Sequence, residues 1–263
     1  MKELAKTAFV TIAKLSERTK TPYAKDIFKK LIKKIKFKIP RVERGYFIES
    51  RYKSSEEMIK NSKIKQVIEF GSGFTPHALS LIENDLNYIE VDFPEIVTLK
   101  KGIVREINPN LNTRYISGNV FEEKTWKNIK DKLKKEPTII FCEGVMMYTS
   151  KKQRDFLFKQ IKEILNKNKG FFFFEDSLRF HPEFKEDEKF KLFQRRISSL
   201  SKNKEYEQKI SQTQLIRELE SYGFEVKRKS TNMDLSTIDF DQEGKDIIKK
   251  FKMFILTPKN EKN

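Results

Sequence analysis

The chain is short of the residues that carry metal and redox chemistry. Its 263 residues include one cysteine, Cys142, and two histidines, His77 and His181. One cysteine excludes an intramolecular disulfide, and ligands this scattered make no metal-site spacing. Cys142 lies inside an apolar run and reads as a small buried side chain. So little cysteine fits a reducing compartment, and a cytoplasmic location is the expectation. Long apolar runs are missing too: no segment approaches the ~20 residues of a membrane helix. The stretch MKELAKTAFVTIAK is interrupted by Lys6 and Lys14 and makes a poor signal peptide. Internal repeats and low-complexity linkers are also absent.

What the chain has in excess is charge. Charged residues make up 35% and hydrophobic residues 37%, and the net charge is +17. Several buried-strand candidates still argue for a globular fold. A basic balance can attract nucleic acid or an anionic membrane surface. Here the lysines are spread through nearly every helix, which favours a solvated surface. The length suits one large α/β domain with additions.

The most informative stretch is QVIEFGSGFTPHALSLIENDLNYIEVDFP, from Gln66 to Pro94. An apolar run (Val67, Ile68, Phe70, broken by Glu69) meets a glycine turn, Gly71-Ser72-Gly73. Ala78, Leu79, Leu81 and Ile82 then recur on a helical period, and Tyr88 to Val91 form a second apolar run ending on Asp92. This is strand, turn, helix, strand. Thr75 is expected to cap the helix and Pro76 to occupy its first turn. The glycines allow a sharp turn and close backbone approach to a ligand. Asp92 follows at the spacing, ~20 residues, where an acid reaches a ribose hydroxyl. A pyrophosphate binder needs a third glycine where Thr75 and Pro76 stand, and an acid such as Glu69 would face two phosphates. A ribose-bearing ligand with positive charge and no phosphate fits better, and S-adenosylmethionine is such a ligand.

Around this centre the chain alternates. Residues 3 to 62 read as helices: Leu4, Ala8, Ile12 and Leu15 on one period, then Ala24 to Ile35, then Phe47 to Lys60. Pro94 opens a helix through Ile103. NTRYISGNVFE is a short strand ending at Gly118-Asn119, where Asn119, with Val120 beside it, is a turn signal or an adenine contact. Residues 122 to 135 make a polar helix holding Trp126. Thr138 to Cys142 is a continuous apolar strand ending at Glu143-Gly144, suited to burial on both faces. Met146, Met147 and Tyr148 follow, as a core plug or as a pocket wall. Ser150 caps a helix ending at Lys169-Gly170, and Phe171 to Phe174 form a buried strand before Glu175. Residues 178 to 209 read as helix plus loop, and residues 233 to 246 as an acidic loop. Gln212 to Tyr222 is a helix, and Phe224 to Arg228 with Phe251 to Thr257 a closing antiparallel pair.

The pieces give an α/β expectation: a doubly wound, Rossmann-like sheet of about seven mostly parallel strands. An amino-terminal helical cap, 1–62, precedes one compact unit, 63–263. The ensemble resembles the class I S-adenosylmethionine-dependent methyltransferases, and within them the leucine carboxyl methyltransferase family with its polyketide O-methyltransferases. The resemblance rests on TAFVTIAKLSERTKTPYAKDI, ERGYFIESRY, QVIEFGSGFTPHALSL, YIEVDFPEIVTLK and FCEGVMMYTS. It implies S-adenosyl-L-methionine as cofactor. Lys14 and Arg51 fall where that family binds the ligand carboxylate, Gly71 and Gly73 at its cofactor turn, Asp92 at its ribose acid, and Glu143 at the acid of its EG-x-MMY segment. Asn119 stands where an aspartate is usual. Glu69 is more acidic than the usual residue.

The expected activity is O-methylation of a carboxylate or hydroxyl on a small molecule. A carboxylate needs no base. For a hydroxyl, Tyr148, Glu175 and His181 are the candidates. The alternative is an RNA-binding protein or RNA methyltransferase using the basic surface.

Overall fold

The computed structural model describes residues 4–17, 21–36, 39, 46–81, 85–175, 211–230 and 252–259. The segments read above as 178–209 and 233–246 lie outside the described residues, as does His181. Strands β1 (Gln66–Phe70), β2 (Asn87–Asp92), β3 (Thr113–Ser117), β4 (Thr138–Cys142), β5 (Gly170–Glu175), β6 (Phe224–Ser230) and β7 (Lys252–Pro258) form one sheet. Their order is β3-β2-β1-β4-β5-β7-β6. The first five pair in parallel, and β7 runs antiparallel to both β5 and β6. The expected seven-stranded, mostly parallel sheet with its closing antiparallel pair is therefore present.

The helices are α1 (Thr7–Ser16), α2 (Ala24–Ile32), α3 (Tyr46–Ser62), α4 (His77–Ser80), α5 (Pro94–Ile107), α6 (Glu123–Lys130), α7 (Lys151–Asn168) and α8 (Gln212–Ser221). Among the described residues no helix is long and apolar enough to cross a membrane. The apolar strands behave as doubly covered strands should. On one face Ile68, Phe70, Ile140, Phe172 and Phe174 pack with Trp126, Phe158 and Leu219 from α6, α7 and α8. On the other, Val67, Tyr88, Ile139, Phe141 and Phe173 pack with Ile59 and Ala78 from α3 and α4. The four phenylalanines of β5 divide between these layers by strand alternation. The amino-terminal helices share a further cluster with α5: Phe9, Ile12, Leu15, Ile27, Leu31, Ile96 and Ile103.

Local chemistry explains both ends of α7. Ser150 and Gln153 form a reciprocal capping box at the start of α7. That helix stops where Lys169 and Gly170 take positive φ, 65° and 103°. A Cβ at Gly170 would strike the Thr138 carbonyl on the neighbouring strand. One start differs from expectation. Thr75 does not cap α4; its hydroxyl donates to Glu69 Oε1 (2.9 Å) and to the Ser72 carbonyl (2.8 Å). Pro76 occupies the cap position and the first helical residue is His77. The buried Glu69 carboxylate nearby takes the hydroxyl that a helix start would have used.

Replacing Ser150 by Ala removes half of the capping box. The expected loss is about 1 kcal/mol of stability, read as a lower urea midpoint at unchanged slope.

Candidate active site at the carboxyl ends of the parallel strands

Strand order reverses between β1 and β4, so their carboxyl ends open a crevice. The glycine turn after β1 lies on one side of it. Gly71 and Gly73 both take positive φ, 63° and 48°. A Cβ on Gly71 would collide with Val145, and one on Gly73 would come 3.2 Å from Ala8 of α1. Phe9 of α1 also meets Phe74 edge-on at 4.8 Å. The first helix thus rests directly on the turn.

Asp92, the last residue of β2, is tied to the same turn. Its two oxygens accept from the Gly73 and Phe93 amides, each at 2.7 Å. Burial raises its pKa and these amides lower it, leaving it up at about 6. A carboxylate has about four acceptor sites, so Asp92 can still accept from two hydroxyls. Beneath the turn, buried Lys100 of α5 pairs with Glu90 at 2.6 Å and donates to the Ser72 carbonyl at 3.3 Å.

On the other side stands a buried cluster built from distant elements. Arg51 of α3 donates through Nε to Glu143 Oε2 (3.1 Å) and through Nη1 to Glu175 Oε1 (3.4 Å). Ser55, one turn further along α3, donates to Glu143 Oε1 at 2.5 Å. The Gly144 amide donates to Glu175 Oε1 at 2.5 Å. Gly144 has φ 66°, and a Cβ there would come 3.2 Å from Arg51 Nη1. His77 Nε2 lies 3.3 Å from Glu143 Oε1. The second oxygen of Glu175 and the hydroxyl of Ser72 are buried without a hydrogen-bond partner.

The two acids of this cluster are driven apart. Burial works to raise Glu143, but His77 and Arg51 outweigh it and hold it down at about 2. Burial dominates at Glu175; Arg51 only partly offsets it, and the carboxyl is pushed up to about 7. Separation of this kind marks sites where acids take different roles.

The structure brings together Arg51, Gly71, Gly73, Asp92, Glu143 and Glu175 from the sequence-based candidates. Lys14 sits in the last turn of α1, the helix that rests on the glycine turn. Tyr148 follows Glu143 in a 3-10 turn, hydrogen-bonds Thr7 of α1, and has its pKa raised by burial. Asn119 forms a local turn, accepting from the Phe121 amide at 3.1 Å. Val120 is buried, and its carbonyl accepts from Trp126 Nε1 at 2.7 Å. Glu69 is enclosed differently: Tyr88 and Thr75 each donate to one of its oxygens, at 2.9 Å. It is a satisfied core acid, raised by burial to about 7. Sequence reasoning missed Ser55, His77 and Lys100. The signal available for Ser55 was its i, i+4 spacing from Arg51 on one helix face.

This donor set fits a ligand with an amino-acid end and a ribose. Guanidinium and carboxylates lie together near backbone that a Cβ would block, and an orphaned acceptor and hydroxyl remain. The fold and the site define an S-adenosylmethionine-dependent methyltransferase. A profile of the leucine carboxyl methyltransferase family matches residues 6–162, and the chain belongs to that family, with S-adenosyl-L-methionine as its cofactor. Among solved structures the chain is similar to an O-methyltransferase family protein from Burkholderia thailandensis, at 9% identity and TM-score 0.52, covering 83% of this chain and 61% of that one. It is also similar to PigF with SAH, at 10% and 0.52, covering 80% and 55%. A third is the mitomycin 7-O-methyltransferase MmcR, at 8% and 0.51, covering 81% and 55%. At these identities the likeness is one of fold. The chain spans little more than half the length of these structures. No curated protein matches it by sequence.

The buried acids set the pH dependence of folding. Glu69 and Glu175 keep protons to about 7 and Asp92 to about 6, whereas unfolded carboxyls release theirs near ~4. Over that window the folded chain binds more protons, so stability falls as pH rises. His77, held up at about 10, adds stability that is complete below its unfolded pKa and is lost as pH rises from there towards about 10. Glu143 contributes above the unfolded carboxylate range and loses its contribution only as pH falls towards 2. Urea unfolding should therefore show stability declining from ~pH 5 to ~pH 8. Glu175→Gln should flatten part of that slope; a wild-type profile rising over this range would contradict the assignment.

Proposed function

We propose that the protein transfers the methyl group of S-adenosylmethionine to an oxygen of a small molecule, with a carboxylate as the favoured acceptor. The observation that carries the reading is the Arg51–Glu143–Glu175 cluster beside the glycine turn and Asp92. Arg51, joined by Lys14, holds the cofactor carboxylate through charged donors. Glu143 accepts from its ammonium, and Asp92 from the ribose hydroxyls. Gly71 and Gly73 keep side chains out of the way, and Asn119 with Val120 borders the adenine. Glu69, with both oxygens engaged, acts only by anchoring Thr75 behind the turn. Residues 1–62 form a cap that supplies site residues to the unit 63–263; the contacts of Ala8 and Arg51 support that division of labour.

When bound, the cofactor supplies a sulfonium-activated methyl group. A carboxylate acceptor arrives ionised, so the chain need only orient it and exclude water. A hydroxyl acceptor must lose a proton. Glu175, held up at about 7, is the described group best poised to take it, and Tyr148, with its pKa raised, is not. The family's name and the O-methyltransferases of similar fold support oxygen as the acceptor. The nucleic-acid alternative finds no support in the comparisons.

S-adenosylhomocysteine should raise the melting temperature and NAD should not. Arg51→Ala should weaken S-adenosylhomocysteine by roughly 10- to 150-fold in calorimetry, the value of a charged hydrogen-bond set; unchanged affinity removes Arg51 from the site. With radiolabelled cofactor and a panel of carboxylic acids and phenols, the labelled product should release methanol in mild base, as an ester does. A base-stable product would mean an ether and would shift the acceptor to a hydroxyl.

A further inference from the structure

Among the enclosed titratable groups that the mechanism above leaves unused is His77. His77 has 0% exposure. Tyr52 of α3 stacks on its ring at 4.0 Å, and Phe141 of β4 meets its edge at 5.5 Å. These rings leave only its two nitrogens for polar contact. Nε2 lies 3.3 Å from Glu143 Oε1, and Nδ1 lies 3.8 Å from Glu56 Oε1. A neutral imidazole has one N–H and one lone pair. Neither nitrogen makes a hydrogen bond of good geometry, so what the two acids offer the ring is charge, and only the imidazolium is attracted to both.

The groups around it support the charge. Glu56 comes from α3, Glu69 from β1 and Glu143 from the turn after β4. Tyr52 donates to Glu56 at 2.7 Å, and Lys60 approaches that acid at 3.7 Å. Arg51 and Ser55 donate to the same Glu143 carboxylate, at Oε2 and Oε1, which leaves it acceptor capacity for a ligand. Burial opposes charge on the ring, but Glu69 and Glu143 outweigh it and hold His77 up at about 10.

We propose that His77 is a positioning residue: a standing imidazolium that keeps Glu143 ionised and aimed so that it meets the cationic end of the cofactor as a carboxylate. The inference rests on the reading of Glu143 as a cofactor-facing acid. Without the imidazolium, burial acts on Glu143 with Arg51 as its remaining strong counter-charge. Its proton affinity then rises into the working range.

The test uses the full chain labelled with nitrogen-15 in histidine and carrying His181→Gln, which leaves one histidine signal. The expected spectrum shows the imidazolium pattern with no titration from about pH 6 to about pH 8.5. A neutral-tautomer pattern in that range overturns the proposal, whatever the variants do. Calorimetry with S-adenosylhomocysteine then compares wild type, His77→Gln and His77→Arg. Failure of the wild type to bind would sink the cofactor assignment and leave the charge state decided by the spectrum. Given wild-type binding, His77→Gln should bind more weakly by a ratio that grows as pH falls, reaching roughly tenfold near ~pH 6. His77→Arg should recover most of the loss. A ratio that is flat with pH and equal for both variants would show that the ring only packs, and would reject the positioning role.

Discussion

The buried contact between Arg51 and two acids is the interaction on which the site depends. Acids at the tips of parallel strands cannot stay ionised out of water by themselves. Glu143 and Glu175 lie at the ends of neighbouring strands, and the cation they share, Arg51, comes from α3, the helix that leads into β1. The crevice is therefore a joint product of cap and sheet. Removing one partner of such a pair leaves charge buried without compensation, which costs more than the pair itself contributes.

The same logic recurs beneath the glycine turn. Glu69 and Glu90 are direct partners in the pairing of β1 with β2. Like charges so placed would repel. Glu69 is instead raised in pKa and hydrogen-bonded by Tyr88 and Thr75, while Glu90 faces Lys100. Two neighbouring acids thus reach different solutions, one through hydroxyl donors and a raised pKa and one by gaining a cation. Lys100 also reaches the Ser72 carbonyl, so the charge that neutralises Glu90 steadies the turn.

Much of this was legible from residue order. The run Thr138 to Cys142 matched a strand because continuous apolar residues need cover on both faces, and the sheet supplies it. Ser150 with Gln153 marked the start of α7. The glycine turn and Asp92 came together because their spacing belongs to a strand–turn–helix–strand unit. What stayed hidden were contacts across long separations. Nothing about the segment around His77 shows that its ring will lie between Tyr52 and Phe141. An acid beside a glycine turn suggests a ligand, and the hydroxyl partners that Glu69 has, Thr75 and Tyr88, could not be read from its own segment. Thr75 failed as a cap for the same reason.

The seat of α1 on the glycine turn has a further consequence. Ala8 and Gly73 share one small volume, with a Cβ at 73 coming 3.2 Å from the methyl group of Ala8. A side chain at 73 would require the helix to give by a few tenths of an ångström, on top of the strain of its positive φ. The two positions are therefore coupled sterically although they lie far apart in the chain.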